Sequence, residues 1–256
     1  MTQTPSPSDL REHKAAPGSL DGKVILVTGA SDGIGRAVAE SCALAGATVL
    51  LMGRSETKLN AVHDAIVESG GLRPIVIPLD FLKAEGGVYL TLAEQIESDF
   101  GQLDGLVHCA GILGEMVEVE QYDAVIWQQV MHVNATAGFA LTKVLLPLLA
   151  KAKGDVLFTT SSVGRKGRAF WGAYAVSKFA VEGLAQVIAE EQKPRGIRVN
   201  VINPGATRTH MRAQAYPMED AKKVPTPDSV APAYLYFLNS TDETLTGLSV
   251  DVKDKR

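Results

Sequence analysis

The chain has 256 residues, 46% of them hydrophobic and 21% charged, with a formal net charge of -4. That length and balance suit one large domain with a substantial core, and the acidic excess excludes the basic field that nucleic acid as a main partner requires. Only two cysteines, Cys42 and Cys109, and five scattered histidines occur, which excludes a disulfide framework, a C-x-x-C site and a recognisable metal-ligand spacing.

No apolar run reads as a membrane span, since the most apolar helical stretch carries Lys143 and Pro147. The first residues lack a continuous apolar core of the kind that marks secretion. The expectation is a cytoplasmic protein with reduced thiols, no metal and no membrane partner.

Residues 1 to about 20 are rich in Thr, Ser, Pro and charge and read as a mobile tail, leaving 21 to 256 as a single domain. From Lys23 onward, short β-branched runs alternate with amphipathic stretches. Strands are expected at Val24 to Thr28, Thr48 to Met52, Pro74 to Pro78, Gly105 to His108, Asp155 to Thr160, Arg198 to Ile202 and Leu248 to Val252. Helices are expected at roughly 33 to 45, 55 to 69, 85 to 100, 121 to 152, 172 to 192 and 228 to 239. This alternation predicts an α/β, doubly wound, seven-stranded parallel sheet of Rossmann type with helices on both faces.

The first strand runs into Thr28-Gly29-Ala30-Ser31-Asp32-Gly33-Ile34-Gly35, and a helix follows at once. Such a helix aims its unpaired N–H groups and positive dipole end at whatever lies above the strand, while glycines let the backbone come close. A pyrophosphate fits that description; a plain glycine-bearing turn is the alternative. About twenty residues further on, Arg54 follows the second strand, where dinucleotide folds meet the adenosine ribose. An arginine there suits the 2′-phosphate of NADP rather than the bare hydroxyl of NAD, against the alternative of a solvated arginine opening a helix. After the third strand, Asp80 and Phe81 stand where an adenine edge could be received, with a helix cap as the other reading of Asp80.

Ser161 ends the fifth strand, and Tyr174 and Lys178 form an i, i+4 pair on the next helix. A cation beside a phenol lowers its pKa toward neutrality, so the phenol can exchange a proton with a substrate oxygen while hydride moves at the carbon. The alternative is an ordinary helix pair. Two polar loops, 163 to 172 and 205 to 226, leave strand carboxyl ends and are expected to wall the substrate, the second as a lid.

These motifs together resemble the compact single-domain branch of the short-chain dehydrogenases/reductases from about Leu20 to Asp251. The T-G-x-x-x-G-x-G loop is matched by Thr28, Gly29, Gly33 and Gly35, the Y-x-x-x-K pair by Tyr174 and Lys178, and the serine thirteen residues earlier by Ser161. The asparagine of the long central helix falls on Asn134. The resemblance implies Tyr174 as general acid/base, Lys178 as the group that lowers its pKa and holds the nicotinamide ribose, Ser161 as the substrate-oxygen partner, and Asn134 as an aid to a proton-relaying water. It places cofactor contacts at Gly29, Ser31, Asp32, Gly33, Ile34, Gly35, Arg54, Asp80, Phe81, Ala110, Gly111, Pro204, Gly205, Thr207 and Thr209, besides Tyr174 and Lys178.

The usual N-N-A-G after the fourth strand is replaced by His108-Cys109-Ala110-Gly111. That replacement and the loops around Arg165 and Arg208 look most like a bacterial subgroup of YciK-type oxidoreductases. The expected activity is NADP(H)-dependent interconversion of a carbonyl and a secondary alcohol, with NAD(H) the lesser fit. A catalytically silent NADP(H)-binding regulator or scaffold is the alternative, and a sugar-nucleotide epimerase or dehydratase lacks the residues it needs beyond Gly205. The expected partners are a small carbonyl or alcohol and a second copy of the chain, as homodimer or homotetramer. Arg165, Lys166, Arg168, Arg208, His210 and Arg212 could gather at the entrance for an anionic substrate, or simply face water or a subunit contact. Asp32 counts against a 2′-phosphate by charge, leaving Arg54 as its main anchor.

Overall fold

Apolar runs that are buried on both faces form the centre of a parallel sheet. In the computed structural model, which describes residues 4–253, such runs make β1 (Val24–Thr28) and β4 (Gly105–His108), in which every residue is buried. They are joined by β2 (Thr48–Gly53), β3 (Ile75–Pro78), β5 (Asp155–Thr159), β6 (Arg198–Asn203) and β7 (Ser249–Asp251). All seven pair in parallel in the order β3-β2-β1-β4-β5-β6-β7.

Alternate side chains of β1 feed two cores. Ile25 and Val27 meet α2 (Gly33–Leu44), α3 (Glu56–Glu68) and the later α9 (Ala231–Asn239), whereas Val24 and Leu26 meet the opposite layer. That layer contains α4 (Gly86–Phe100), α5 (Ala124–Met131), α6 (Ala137–Ala152) and α7 (Gly172–Gln192). The expected doubly wound fold is thereby present, and each expected strand and helix lies within a few residues of its observed bounds.

Three departures have physical causes. The segment expected to be a mobile tail contains α1 (Pro7–Glu12), started by a capping box in which Ser6 Oγ accepts from Asp9 N and Asp9 accepts from Ser6 N. Leu10 and Leu20 are fully buried and α1 packs on α9, so apolar burial at two positions overrides the polar composition; residues 1–3 of that expected tail lie outside the described residues. The stretch expected as one helix from 121 to 152 begins at Ala124 after an Asp123 cap and is interrupted by a π-helical turn, His132–Thr136, between α5 and α6. From Ala124 to Ala152 it spans 29 residues with hydropathy 1.5, so by length and composition it could cross a bilayer, contrary to the sequence reading. Half of its most apolar window is buried inside this chain, the pattern of a core helix. Finally, the loop after β6 carries a short helix, α8 (His210–Ala215).

Candidate active site

The order reverses between β1 and β4, which opens a crevice at their carboxyl ends. Thr28 Oγ1 pins that crevice by accepting from Cys109 N and Ala110 N, both at 3.2 Å. Gly29, at φ +68°, lies so close to β4 that a Cβ would come within 2.8 Å of Ala110 N. At Gly35 a Cβ would stand 2.3 Å from Gly29 O, so neither glycine tolerates a side chain without moving backbone. Asp32 is the N-cap of α2 and accepts from Gly33 N at 2.7 Å. Ile34 packs on the core beneath, and Gly33 faces Thr209, whose Cγ2 would lie 3.1 Å from an added Cβ.

Around this turn the other expected cofactor residues occupy neighbouring strand ends. Ser31 lies against Gly53 at the end of β2, where its Oγ would be 3.4 Å from an added Cβ, and exposed Arg54 follows. Ala110 and Gly111 follow β4, and a Cβ on Gly111 would touch Asn134 Oδ1 at 3.2 Å. Beyond β6, Pro204 is buried, Gly205 has φ +69°, and Thr207 Oγ1 donates to Gly205 O. Thr209 caps α8 by accepting from Arg212 N. After β3 one expectation changes and one alternative falls away. Phe81 turns its ring into the core against Tyr89 while its carbonyl bonds to the His132 ring, so the side chain is not in the crevice. Asp80 accepts from Leu82 N in a turn, which removes only the helix-cap alternative given for it.

The expected catalytic residues converge at the ends of β5 and α7. Asn134 sits on the π-helical turn and is fully engaged: Oδ1 accepts from Ile112 N at 2.8 Å, and Nδ2 donates to Ile112 O and to Ser177 Oγ. Ser177 in turn donates to the Tyr174 carbonyl, a link that the sequence reading did not single out although the residue lies between Tyr174 and Lys178. Lys178 Nζ donates to Thr159 O at 2.8 Å and stands 5.6 Å from the Tyr174 ring centroid. Gly164 allows this approach, because a Cβ there would be 2.7 Å from Lys178 Cβ.

Burial dominates the titration of these groups. It pushes the Tyr174 phenol up to about 12, with the Ser161 hydrogen bond acting the other way, and brings the Lys178 ammonium down to about 8. In the chain alone burial therefore keeps the phenol protonated instead of lowered toward neutrality, and the Lys178 ammonium is bonded to a backbone carbonyl. Cys109 is a free thiol held protonated, raised to about 11 by burial.

The entrance also differs from expectation, since the six basic residues do not form one free patch. Arg165 is spent on Glu182, Asp251 and Ser249, Arg208 on the Val224 and Lys222 carbonyls, and Arg212 on both oxygens of Glu219. Arg168 donates to Tyr216 OH, while Lys166 and His210 are exposed. What meets Tyr174 instead is apolar: Leu113, Val163 and Trp171, with Met116, Met211 and Tyr216 packed on them. Among the described residues no group of three or more His, Cys, Asp and Glu could hold a metal ion.

A family model for short chain dehydrogenase matches residues 23–220. The chain belongs to the short chain dehydrogenase family. It is 48% identical over 238 residues to the uncharacterized oxidoreductase YciK of Escherichia coli (strain K12), covering 93% of this chain and 94% of that one. Two solved structures are also similar to it. A short chain dehydrogenase from Escherichia coli CFT073, complexed with NADPH, is 47% identical with a TM-score of 0.90, covering 93% of this chain and all of that one (100%). A short chain dehydrogenase from Shigella flexneri 2a str. 301, complexed with NADP, is 47% identical at TM-score 0.90, covering 93% and 99%. The resemblance read from the motifs is thus a family membership, and the YciK-type subgroup read from the loops is among the proteins to which the chain is similar.

Proposed function

We propose that this short chain dehydrogenase is an NADP(H)-dependent oxidoreductase that interconverts a carbonyl and a secondary alcohol. The observation that carries the proposal is the convergence of Tyr174, Lys178, Ser161 and Asn134 at the strand ends beside the glycine turn. The site suits the cofactor: Gly29 and Gly35 let the turn close tightly on β4 and on itself, α2 begins there with its N–H groups, and Arg54 and Lys58 supply cations at the end of β2. Relatives solved with NADP and NADPH support the same assignment.

When bound, the cofactor supplies or accepts the hydride. The chain's own part is proton transfer and alignment. Tyr174, protonated at neutral pH, donates to the substrate oxygen in reduction and receives that proton in oxidation. Ser161, already within hydrogen-bonding reach of the phenol, shares the same oxygen and fixes its direction. Lys178, held in place by Thr159 O, puts a positive charge beside the ring. Asn134 spends its side chain on Ile112 and Ser177, so it acts by holding the β4 exit loop and the start of α7 in register. In this proposal the β6–α9 segment is the lid, tied to the opposite wall by Arg168 and Tyr216, and its apolar lining suits an apolar body next to the reacting carbonyl. Exposed Phe139 on α6 and Val176, Phe179 and Val187 along α7 support a homo-oligomer built on those helices.

A panel of carbonyls and alcohols assayed with NADPH and NADH, on the parent and on Arg54→Ala, tests the proposal. Turnover with NADPH is expected to exceed that with NADH, and Arg54→Ala to erase about tenfold or more of the preference. An unchanged NADPH to NADH ratio in Arg54→Ala would remove Arg54 from the assignment.

A further inference from the structure

Asp32 raises a difficulty for the cofactor just proposed. Its carboxylate caps the helix whose N-terminus faces the pyrophosphate, and the Ser31 beside it lies against Gly53 at the end of β2. A 2′-phosphate held by Arg54 would therefore feel a nearby negative charge. Lys58 answers that charge. Its Nζ lies 3.5 Å from Asp32 Oδ2, reaching across from the first turn of α3, where its backbone N–H is bound by the Ser55 cap. Both side chains remain well exposed, at 62% and 59%.

This exposure decides what the pair can be. An ion pair in contact with water contributes little to folding, so it does not account for the fold on either side. It does bring a mobile cation to the seam between the two turns that bracket the proposed phosphate. Arg36, near the start of α2, is committed to Glu40 at 2.7 Å. Glu56, in the first turn of α3, adds a second acid near this seam besides Asp32, which makes a further cation there more necessary.

We propose that Lys58 determines cofactor choice in this chain: it neutralises Asp32, and it joins Arg54 as the second cation facing the 2′-phosphate. The inference rests on the NADP(H) reading and deepens it. Because Lys58 stands beside Asp32 on that side, its removal leaves the carboxylate uncompensated near the proposed phosphate. The penalty falls on NADPH, whereas NADH carries no charge at that position.

The test is equilibrium binding of NADPH and of NADH to the full chain, followed by nucleotide fluorescence, for the parent, Lys58→Met, Asp32→Asn and the double variant. Asparagine keeps the helix cap, so Asp32→Asn isolates the charge. Lys58→Met is expected to weaken NADPH about tenfold and NADH by less than about twofold, with the thermal midpoint unchanged. Asp32→Asn is expected to restore most of the loss in the Lys58→Met background and to improve NADPH binding less in the parent. The parent's NADPH affinity should also fall more steeply with salt than that of Lys58→Met. If the parent binds NADH as tightly as NADPH, the cofactor reading fails and this inference falls with it. If the parent prefers NADPH and Lys58→Met keeps the full preference, the inference alone is wrong.

Discussion

His108 ends β4, and its imidazole is turned into the core. Nε2 is 2.9 Å from Thr142 Oγ1 and the ring stacks on Phe158 at 4.6 Å. Burial, aided by the positive charge of Lys178, brings its pKa from 6.5 down to about 3. The sign follows directly. An unfolded histidine takes up a proton as pH falls through 6.5 while the folded one stays neutral, so the native state is fully favoured above pH 6.5 and loses ground progressively toward pH 3. In that window His108 should steepen the pH dependence by up to one proton, about 1.4 kcal/mol per pH unit. Denaturant titrations of the parent and His108→Gln between pH 4 and 7 read this slope: the variant is expected to be less stable at pH 7 yet flatter toward acid. Equal slopes would mean that His108 titrates normally in the fold.

At the scale of elements, β5 and β6 are joined at their starts by a buried pair. Arg198 donates to both oxygens of Asp155 at 2.8 and 2.6 Å, and burial still pushes the Asp155 carboxyl up to about 6 against that arginine. Removing one partner leaves the other buried and uncompensated. Arg198→Met should lower stability by about 3–5 kcal/mol and the thermal midpoint by about 10 °C, read by calorimetry, because a two-sided pair is lost. A midpoint within about 2 °C of the parent would show the pair to be dispensable.

Elements were legible in the sequence where one local force set them. The β-branched runs of β1 and β4 are buried on both faces, and the apolar period of α2 marks its buried face, so each was read almost to the residue. Features set by tertiary contact were not. Helix α1 depends on the burial of Leu10 against α9, and the π-helical turn depends on Asn134 being held by Ile112 and Ser177. A period of 3.6 residues reads straight through such a turn. The same limit applies to the basic residues near the entrance: charge on a loop shows in the sequence, but that Arg165 and Arg212 are already paired does not.

Across the whole molecule, the sheet brings together two halves far apart in the chain. The glycine turn follows β1, while Tyr174 and Lys178 come from α7 beyond β5; the crevice between β1 and β4 makes them neighbours. Ser161, Tyr174, Lys178 and Asn134 gather around the end of β5 and the start of α7, whereas the ring of Phe81, read as an adenine contact, packs in the core. Lys58 escaped notice because nothing in a helix's first turn distinguishes a lysine facing water from one facing Asp32 across a strand.

The central claim is that Tyr174 moves a proton to and from the substrate oxygen. It is tested most directly by comparing the parent with Tyr174→Phe on a carbonyl found active in the NADPH panel, with NADPH binding measured on both. The account predicts that Tyr174→Phe loses turnover by about 10²-fold or more while NADPH affinity stays within about threefold, since only the proton-carrying oxygen is removed. Turnover retained in Tyr174→Phe at the parent's rate, with the same NADPH affinity, would contradict it.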